Sequence, residues 1–290
     1  MSLEFISQTL TPVLLTVFAL VLFYYERVFP LRRPKRSLGR RLALNLTLSA
    51  MVFAVGGLVV RPVALGVSWW ADRTSFGLLH YLALPFWAQF FLGFLLMDLT
   101  IYYWHRINHT WPLLWRFHNV HHVDPDLDVS TSFRFHFGEI LYSTLFRVLQ
   151  VGLVGVAPLT YVVYELVFQV CTVFHHSNLR LPIEWERWIN RALVTPRMHG
   201  VHHSAVGPET NSNYSVVFSW WDRLNRSLRL NVPQSQIIIG VPGYLRPGDN
   251  SFSSLLALSF RPQRPYWRWP SGKASVRKVE EVSDRGFMVE

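Results

Sequence analysis

The sequence predicts an all-α protein: a multi-pass bundle of membrane helices with a cytoplasmic helical cap that carries a histidine-ligated dimetal site. Three observations predict it. Half of the 290 residues are hydrophobic and only 16% are charged, where a typical soluble domain has about 25%. Several apolar runs approach the roughly 20 residues that a helix needs to cross a bilayer. The twelve histidines, many for a chain this poor in polar residues, fall into clusters at helical spacing. The net charge of +10 does not mark a nucleic-acid binder, because the basic residues stand on an apolar background. A single cysteine, Cys171, excludes a disulfide framework, a cysteine zinc site and a cysteine-held iron–sulfur cluster.

The first span is expected over Phe5–Tyr25, a run without formal charge. Glu4 stands where a signal peptide would carry Lys or Arg, so the segment reads as retained. Leu42–Val60 and Leu78–Met97 read as the second and third spans. The loop from Arg27 to Arg41 holds seven basic residues and no acid; the next, Arg61 to Gly77, holds two and one. The positive-inside rule therefore puts the first loop in the cytoplasm, and the stretch from Met97 to Glu139 with it. A fourth apolar region, Ile140–Phe174, is broken by Gly155 and Pro158, which predicts a hairpin of two short helices. Arg147 and Glu165 lie nine residues either side of Val156, at equal depth, and are expected to pair, since a lone charge there is costly. The hairpin returns the chain to the cytoplasm. Of the twelve histidines only His80 then falls on the far side, where it reads as an interfacial structural residue. Three regions result: membrane helices and the basic loop (1–97), a histidine-bearing region containing the hairpin at 140–174 (98–230), and a C-terminal part (231–290). In the last, Ile237–Leu258 reads as a membrane-surface segment and Arg261–Glu290 as a polar, partly disordered tail.

His105 and His109 stand at i, i+4 and share a helix face. His118, His121 and His122 form HxxHH, and His199, His202 and His203 repeat it. Eight imidazoles exceed the four ligands of a closed zinc site and suit two metals. The clusters contain no carboxylate, which excludes the Glu-x-x-His pattern of di-iron bundles, and no HExxH is present.

The ordered set of motifs resembles the fatty acid hydroxylase/sterol desaturase superfamily of integral-membrane non-heme diiron oxidoreductases. The resemblance covers roughly Asp98 to Asp222. It rests on YWHRINH at Tyr103–His109, LWRFHNVHHVDPDLD at Leu114–Asp128, RFHFGE at Arg134–Glu139, HSNLRLP at His176–Pro182 and PRMHGVHHS at Pro196–Ser204. Asn213-Tyr214 and Trp221-Asp222-Arg223-Leu224 also match. The resemblance implies two further ligands, His136 and His176, giving ten: His105, His109, His118, His121, His122, His136, His176, His199, His202 and His203. His175 ranks below His176. Asp98, Asp124, Asp128, Glu139, Asn178, Asn213 and Asp222 are candidates to hold the imidazoles in orientation; a solvated loop after Pro125 is the competing reading of Asp124, Asp126 and Asp128. The sequence departs from the pattern at Phe137, at Ser215 and over Asn225–Ser227, without losing a ligand.

The resemblance implies two iron ions, dioxygen and an unactivated C–H bond of a sterol, fatty-acyl or ether lipid, giving an alcohol or an alkene. No dinucleotide fingerprint is visible, so a separate reductase, ferredoxin or cytochrome b5-like donor is implied. Arg223, Arg226 and Arg229 would either dock an acidic donor or face anionic lipid. Phe86, Trp87, Phe90, Phe91 and Phe94 either line a lipid path or pack and face lipid. A bacterial inner membrane is the expected location, ahead of endoplasmic reticulum. The competing readings are a membrane zinc lipid hydrolase and a metal transporter.

Overall fold

The computed structural model describes residues 6–277. Its elements are helices; isolated bridges occur, but no strand forms among the described residues. Among the described residues, four stretches are long and apolar enough to cross a membrane: Gln8–Val28, Leu38–Tyr81, Phe86–Thr110 and Phe137–Val154. The protein is a membrane protein by this measure. Phe5, where the first span was expected to start, lies outside the described residues, as do residues 278–290 of the expected tail.

Helix α1 (Thr11–Val28) leads into the basic loop. Helix α2 (Leu38–Val55) passes through a π-helical turn at Gly56–Val60 into α3 (Arg61–Thr74). The expected loop at 61–77 is thus mostly helix. Arg61, Pro62, Asp72 and Arg73 interrupt the apolar run, but Ala64, Ser68 and Ala71 recur at helical spacing and are buried. Small residues on one stripe let backbones approach closely, and Ser68 Oγ donates to the Val156 carbonyl at 2.5 Å.

The third span begins later than expected. Leu78–Tyr81 is a short helix, and α4 (Phe86–Thr110) starts only after Pro85. Proline has no N–H for a helix interior but serves at its entrance. Helix α4 then continues past Met97 and carries His105 and His109 on its last turns. After a one-residue break at Trp111, α5 (Pro112–His122) carries the first HxxHH.

The hairpin forms as expected. Helices α6 (Phe137–Val154) and α7 (Pro158–His176) are joined through Gly155, whose φ is +75°. Leu141, Leu145, Leu149 and Leu153 are exposed along one stripe of α6, whereas Arg147, Gln150, Val151 and Val154 are buried. Apolar outside and polar inside is the arrangement lipid selects. Arg147 Nη2 meets Glu165 Oε1 at 3.0 Å, as their equal depth predicts.

Short helices complete the cap, among them α8 (Ile183–Ile189) and α9 (Pro196–His202), which carries the second HxxHH. The C-terminal part packs on the helices with one side of its apolar run. Val241, Tyr244, Leu255 and Leu258 are buried against Leu48, Trp115, Val120 and Val123. Their apolar surface is taken up by α2 and α5, while Ile238, Phe252 and Phe260 stay exposed. Helix α10 (Phe252–Leu258) belongs to this packing. Within the described part of the tail, Arg277 pairs with Glu209 at 2.5 Å.

Candidate metal centre

Nine imidazoles converge into two adjacent groups. His105, His109, His118, His122 and His202 form one; His121, His176, His199 and His203 form the other. Within each group, one ring nitrogen per residue lies within 4.8 Å of all the others. The two HxxHH motifs cross over between the groups. On α5, His118 and His122 stand at i, i+4 and enter the first group, while His121 turns to the second. On α9 and its C-cap, His199 and His203 enter the second group, while His202 turns to the first. The groups touch through His122 and His203, whose rings stack with centroids 4.4 Å apart.

Hydrogen bonds fix how the rings point. His105 Nδ1 meets the Tyr214 carbonyl at 2.7 Å, His202 Nδ1 the Ser212 carbonyl at 2.7 Å, and His176 Nδ1 the Thr172 carbonyl at 2.8 Å. His118 Nδ1 meets Glu139 Oε1 at 2.8 Å. A carbonyl or carboxylate can only accept, so each Nδ1 carries the proton. Each Nε2 is left as a bare lone pair directed inward, the form that ligates a metal. In the second group the Nε2 atoms meet one another: His176 to His121 at 3.0 Å, His199 to His176 at 3.0 Å, His203 to His199 at 3.1 Å. Imidazole nitrogens held at ~2.1 Å from one ion and at right angles stand about 3.0 Å apart. In the first group, His118 Nε2, His122 Nε2, His202 Nε2 and both nitrogens of His109 are buried without partners. Such groups are costly unless something binds them. The residues therefore fit two cations.

Burial, and then neighbouring imidazoles, push His121, His122, His199, His202 and His203 well below the usual imidazole range. They are neutral at physiological pH, as ligands must be.

The structure does not bring His136 to either group. Its Nδ1 caps α6 by accepting from Gly138 N at 3.0 Å, and its Nε2 meets the Leu256 carbonyl at 3.2 Å, so both nitrogens are used. His175 lies outside both groups but adjoins the second, its ring centroid 4.1 Å from that of His199. His80 is remote, beside Gly155 at the hairpin turn.

Of the seven residues expected to hold imidazoles, Glu139 does so directly. Asp124 and Asp128 instead bind Arg41, and Asp128 also binds Arg27 at 2.6 Å. Asp126 accepts from the Lys35 and Arg36 backbone at 2.8 and 2.9 Å. All three are buried, so the solvated-loop reading fails too: these acids clamp the cap to α1, α2 and the basic loop. Asn178 brackets the Arg32 backbone, accepting from its N–H and donating to its carbonyl. Asn213 donates to the Met198 and Arg229 carbonyls. Asp222 accepts from the Tyr214 and Ser215 N–H groups and so orders the segment whose carbonyl holds His105. Asp98 accepts from Phe218 N and Trp221 Nε1. The carbonyls of Thr172, Ser212 and Tyr214 were not anticipated; backbone acceptors carry no side-chain signal.

A cavity of about 610 Å³ opens onto both groups. His105, His118, His121 and His176 line its inner end, and Val52, Gly56 and Val60 its membrane side. Phe133, Phe135, Trp104 and Phe146 supply its aromatic wall. Of the aromatics named from sequence, Phe86, Trp87 and Phe91 are exposed on α4 and Phe94 packs on Tyr164, the packing and lipid-facing alternative.

The fatty acid hydroxylase family matches residues 90–227, which contain all nine grouped histidines. The chain is 30% identical to rat (Rattus norvegicus) cholesterol 25-hydroxylase over 158 residues, 53% of this chain and 51% of that protein. It is 29% identical to the ornithine lipid hydroxylase OlsE of Rhizobium tropici over 167 residues, 57% and 49% of the two chains. It is 28% identical to alkylglycerol monooxygenase of Danio rerio over 159 residues, 50% and 32%. The match to the first two relatives thus spans about half their length. No solved structure matches the chain.

Proposed function

From the chain's membership, through residues 90–227, of the fatty acid hydroxylase/sterol desaturase superfamily, we propose that it is a membrane-bound, oxygen-dependent diiron hydroxylase of lipid C–H bonds. The observation that carries this reading is the opening of both imidazole groups onto one largely apolar cavity between membrane helices. Two irons are the proposed occupants, with dioxygen as co-substrate and electrons from a separate donor protein. When bound, the irons supply the reduction of dioxygen and the attack on carbon.

The chain's own residues do the rest. His105, His109, His118, His122 and His202 hold one ion; His121, His176, His199 and His203 hold the other. Glu139 and the three backbone carbonyls keep the rings in their ligating tautomer. The apolar wall aligns an alkyl chain and excludes water, which protects the reactive centre. Relatives named for sterol, ornithine lipid and alkylglycerol substrates support a lipid as the substrate here. The basic loop at 27–41 supports, through the positive-inside rule, a centre at the cytoplasmic face, and a bacterial inner membrane is the proposed location. A zinc hydrolase is not favoured, because nine imidazoles far exceed an open zinc site. The test is metal content and turnover of detergent-purified protein given ferrous iron, extracted membrane lipid and a reducing system. Two irons per chain and oxygen-derived hydroxyl in the lipid are expected. Zinc-supported release of fatty acid without oxygen uptake would overturn the reading.

A further inference from the structure

The far part of the cavity contains charge that the metal centre does not use. Arg147 and Glu165 line it, with Arg61 and Tyr161. Arg147 Nη1 donates to Gln150 Oε1 at 2.6 Å, and Gln150 Nε2 in turn donates to the Met97 carbonyl and to Thr100 Oγ1. Glu165 Oε1 lies 3.0 Å from Arg147 Nη2, yet no well-directed hydrogen bond reaches it. Halfway along a membrane hairpin, an anchored cation stands beside an acceptor that still lacks a proton donor. A charge at such a depth is rare unless it serves binding.

We propose that the Arg147–Glu165 pair is the far end of a substrate subsite: it takes the hydroxyl end of an amphiphile whose opposite, apolar end lies against the histidines. This rests on the function proposed above. A hydroxyl matches both partners, because it donates to Glu165 and accepts from Arg147. A carboxylate would meet repulsion from Glu165, and an alkane would leave Oε1 unsatisfied. The separation is set by the helices. Glu139, which touches His118, precedes Arg147 by eight residues of α6, about 12 Å. Glu165 precedes His176 by eleven residues of α7, about 16 Å. The substrate is therefore a long-chain or fused-ring alcohol, and the carbon attacked is remote from its hydroxyl.

The test is photo-cross-linking of the purified, iron-loaded protein with dodecanol bearing a diazirine at the chain end opposite the hydroxyl. Matched dodecane and dodecanoic acid probes run beside it, and labelled peptides are mapped. The alcohol should label Phe135, which stacks on His121, roughly tenfold over Phe168, which lies under Arg147, the worth of one hydrogen bond to a charged group. The alkane should label both ends alike. In Arg147→Gln with Glu165→Gln, which removes both charges together and so strands neither, the alcohol's preference should fall to that of the alkane at an unchanged melting temperature. If the double variant fails to fold, the comparison of alcohol with alkane on the unaltered protein decides. Equal labelling by alcohol and alkane, or a preference surviving in the folded double variant, overturns the subsite. A stronger preference from the acid overturns the assignment to a hydroxyl. Iron content of the same samples is a separate readout: an oriented alcohol on protein that takes up no iron would refute the diiron reading and leave the subsite standing.

Discussion

Glu139 connects α6 to the centre through one atom, with Oε1 on His118 Nδ1 and Oε2 buried without a partner. Glu139→Gln keeps an acceptor but loses the charge; Glu139→Ala loses both. Removing such a partner typically weakens metal binding by about 10- to 100-fold. Iron titration should show that loss for Ala and a smaller one for Gln, confined to one of the two ions. At Asp128 the chemistry concerns stability. Burial pushes its carboxyl up, but Arg41, the Ser130 hydroxyl and Arg27 outweigh that and hold it at about 2. Its folded value is below the unfolded ~3.9, so its stabilisation is full above roughly pH 4 and fades as pH falls toward 2. The melting temperature of Asp128→Asn should therefore lie below that of the unaltered protein at pH 6, and the gap should narrow on acidification. A constant gap would show that the carboxylate's charge is not what matters. Side chains in tight helical spacing were legible in the sequence; their supports were not. Nine of ten ligand candidates converge: eight were legible because HxxxH and HxxHH fix a helix face, and His176 came only with the resemblance. His136 lacked a spacing partner and turned out to cap α6, while three of four ring acceptors are backbone atoms that any residue provides.

Among the elements, the hairpin turn tolerates the least change. Gly77, at φ +103°, and Gly155 meet so closely that a Cβ on Gly77 would stand 2.4 Å from Gly155 Cα. Gly77→Ala adds a left-handed penalty of about 1–2 kcal/mol and an overpacking penalty of about 1–3 kcal/mol. A melting temperature lower by several degrees is expected, and an unchanged one would mean that α3 and the hairpin separate freely. The Arg147–Glu165 pair makes the opposite prediction. Arg147→Leu alone strands a buried carboxylate and should cost about 3–5 kcal/mol, whereas Arg147→Leu with Glu165→Leu should recover most of it. Denaturant titration in mixed micelles measures both, and a double variant no better than the single would refute the pairing. This contact was legible because the turn signals at Gly155 and Pro158 set equal depths. Helix α3 was not, since its signal is a stripe of small residues and not an apolar run.

For the molecule as a whole, the metal centre joins helices that are far apart in sequence. The first group draws on α4, α5 and α9, the second on α5, α7 and α9. Ligands bound only by the folded state stabilise it by mass action, about 2.7 kcal/mol at a hundredfold excess over Kd. Chelation should therefore lower the melting temperature of the cap. Because each HxxHH serves both groups, the crossover permits a sharper test. His202→Ala removes a member of the first group and leaves the second complete; His203→Ala does the reverse. If the groups act as separate sites, each variant should retain one of two irons, and the double variant neither. If His202→Ala loses both ions, the neighbouring second group depends on the first, through α9 or through the His122–His203 stack. Retention of both ions in either variant would show that the convergent nitrogens are not the ligands. Iron content and melting temperature, measured together on these three variants, separate the cases, since separate sites predict roughly additive losses in stability.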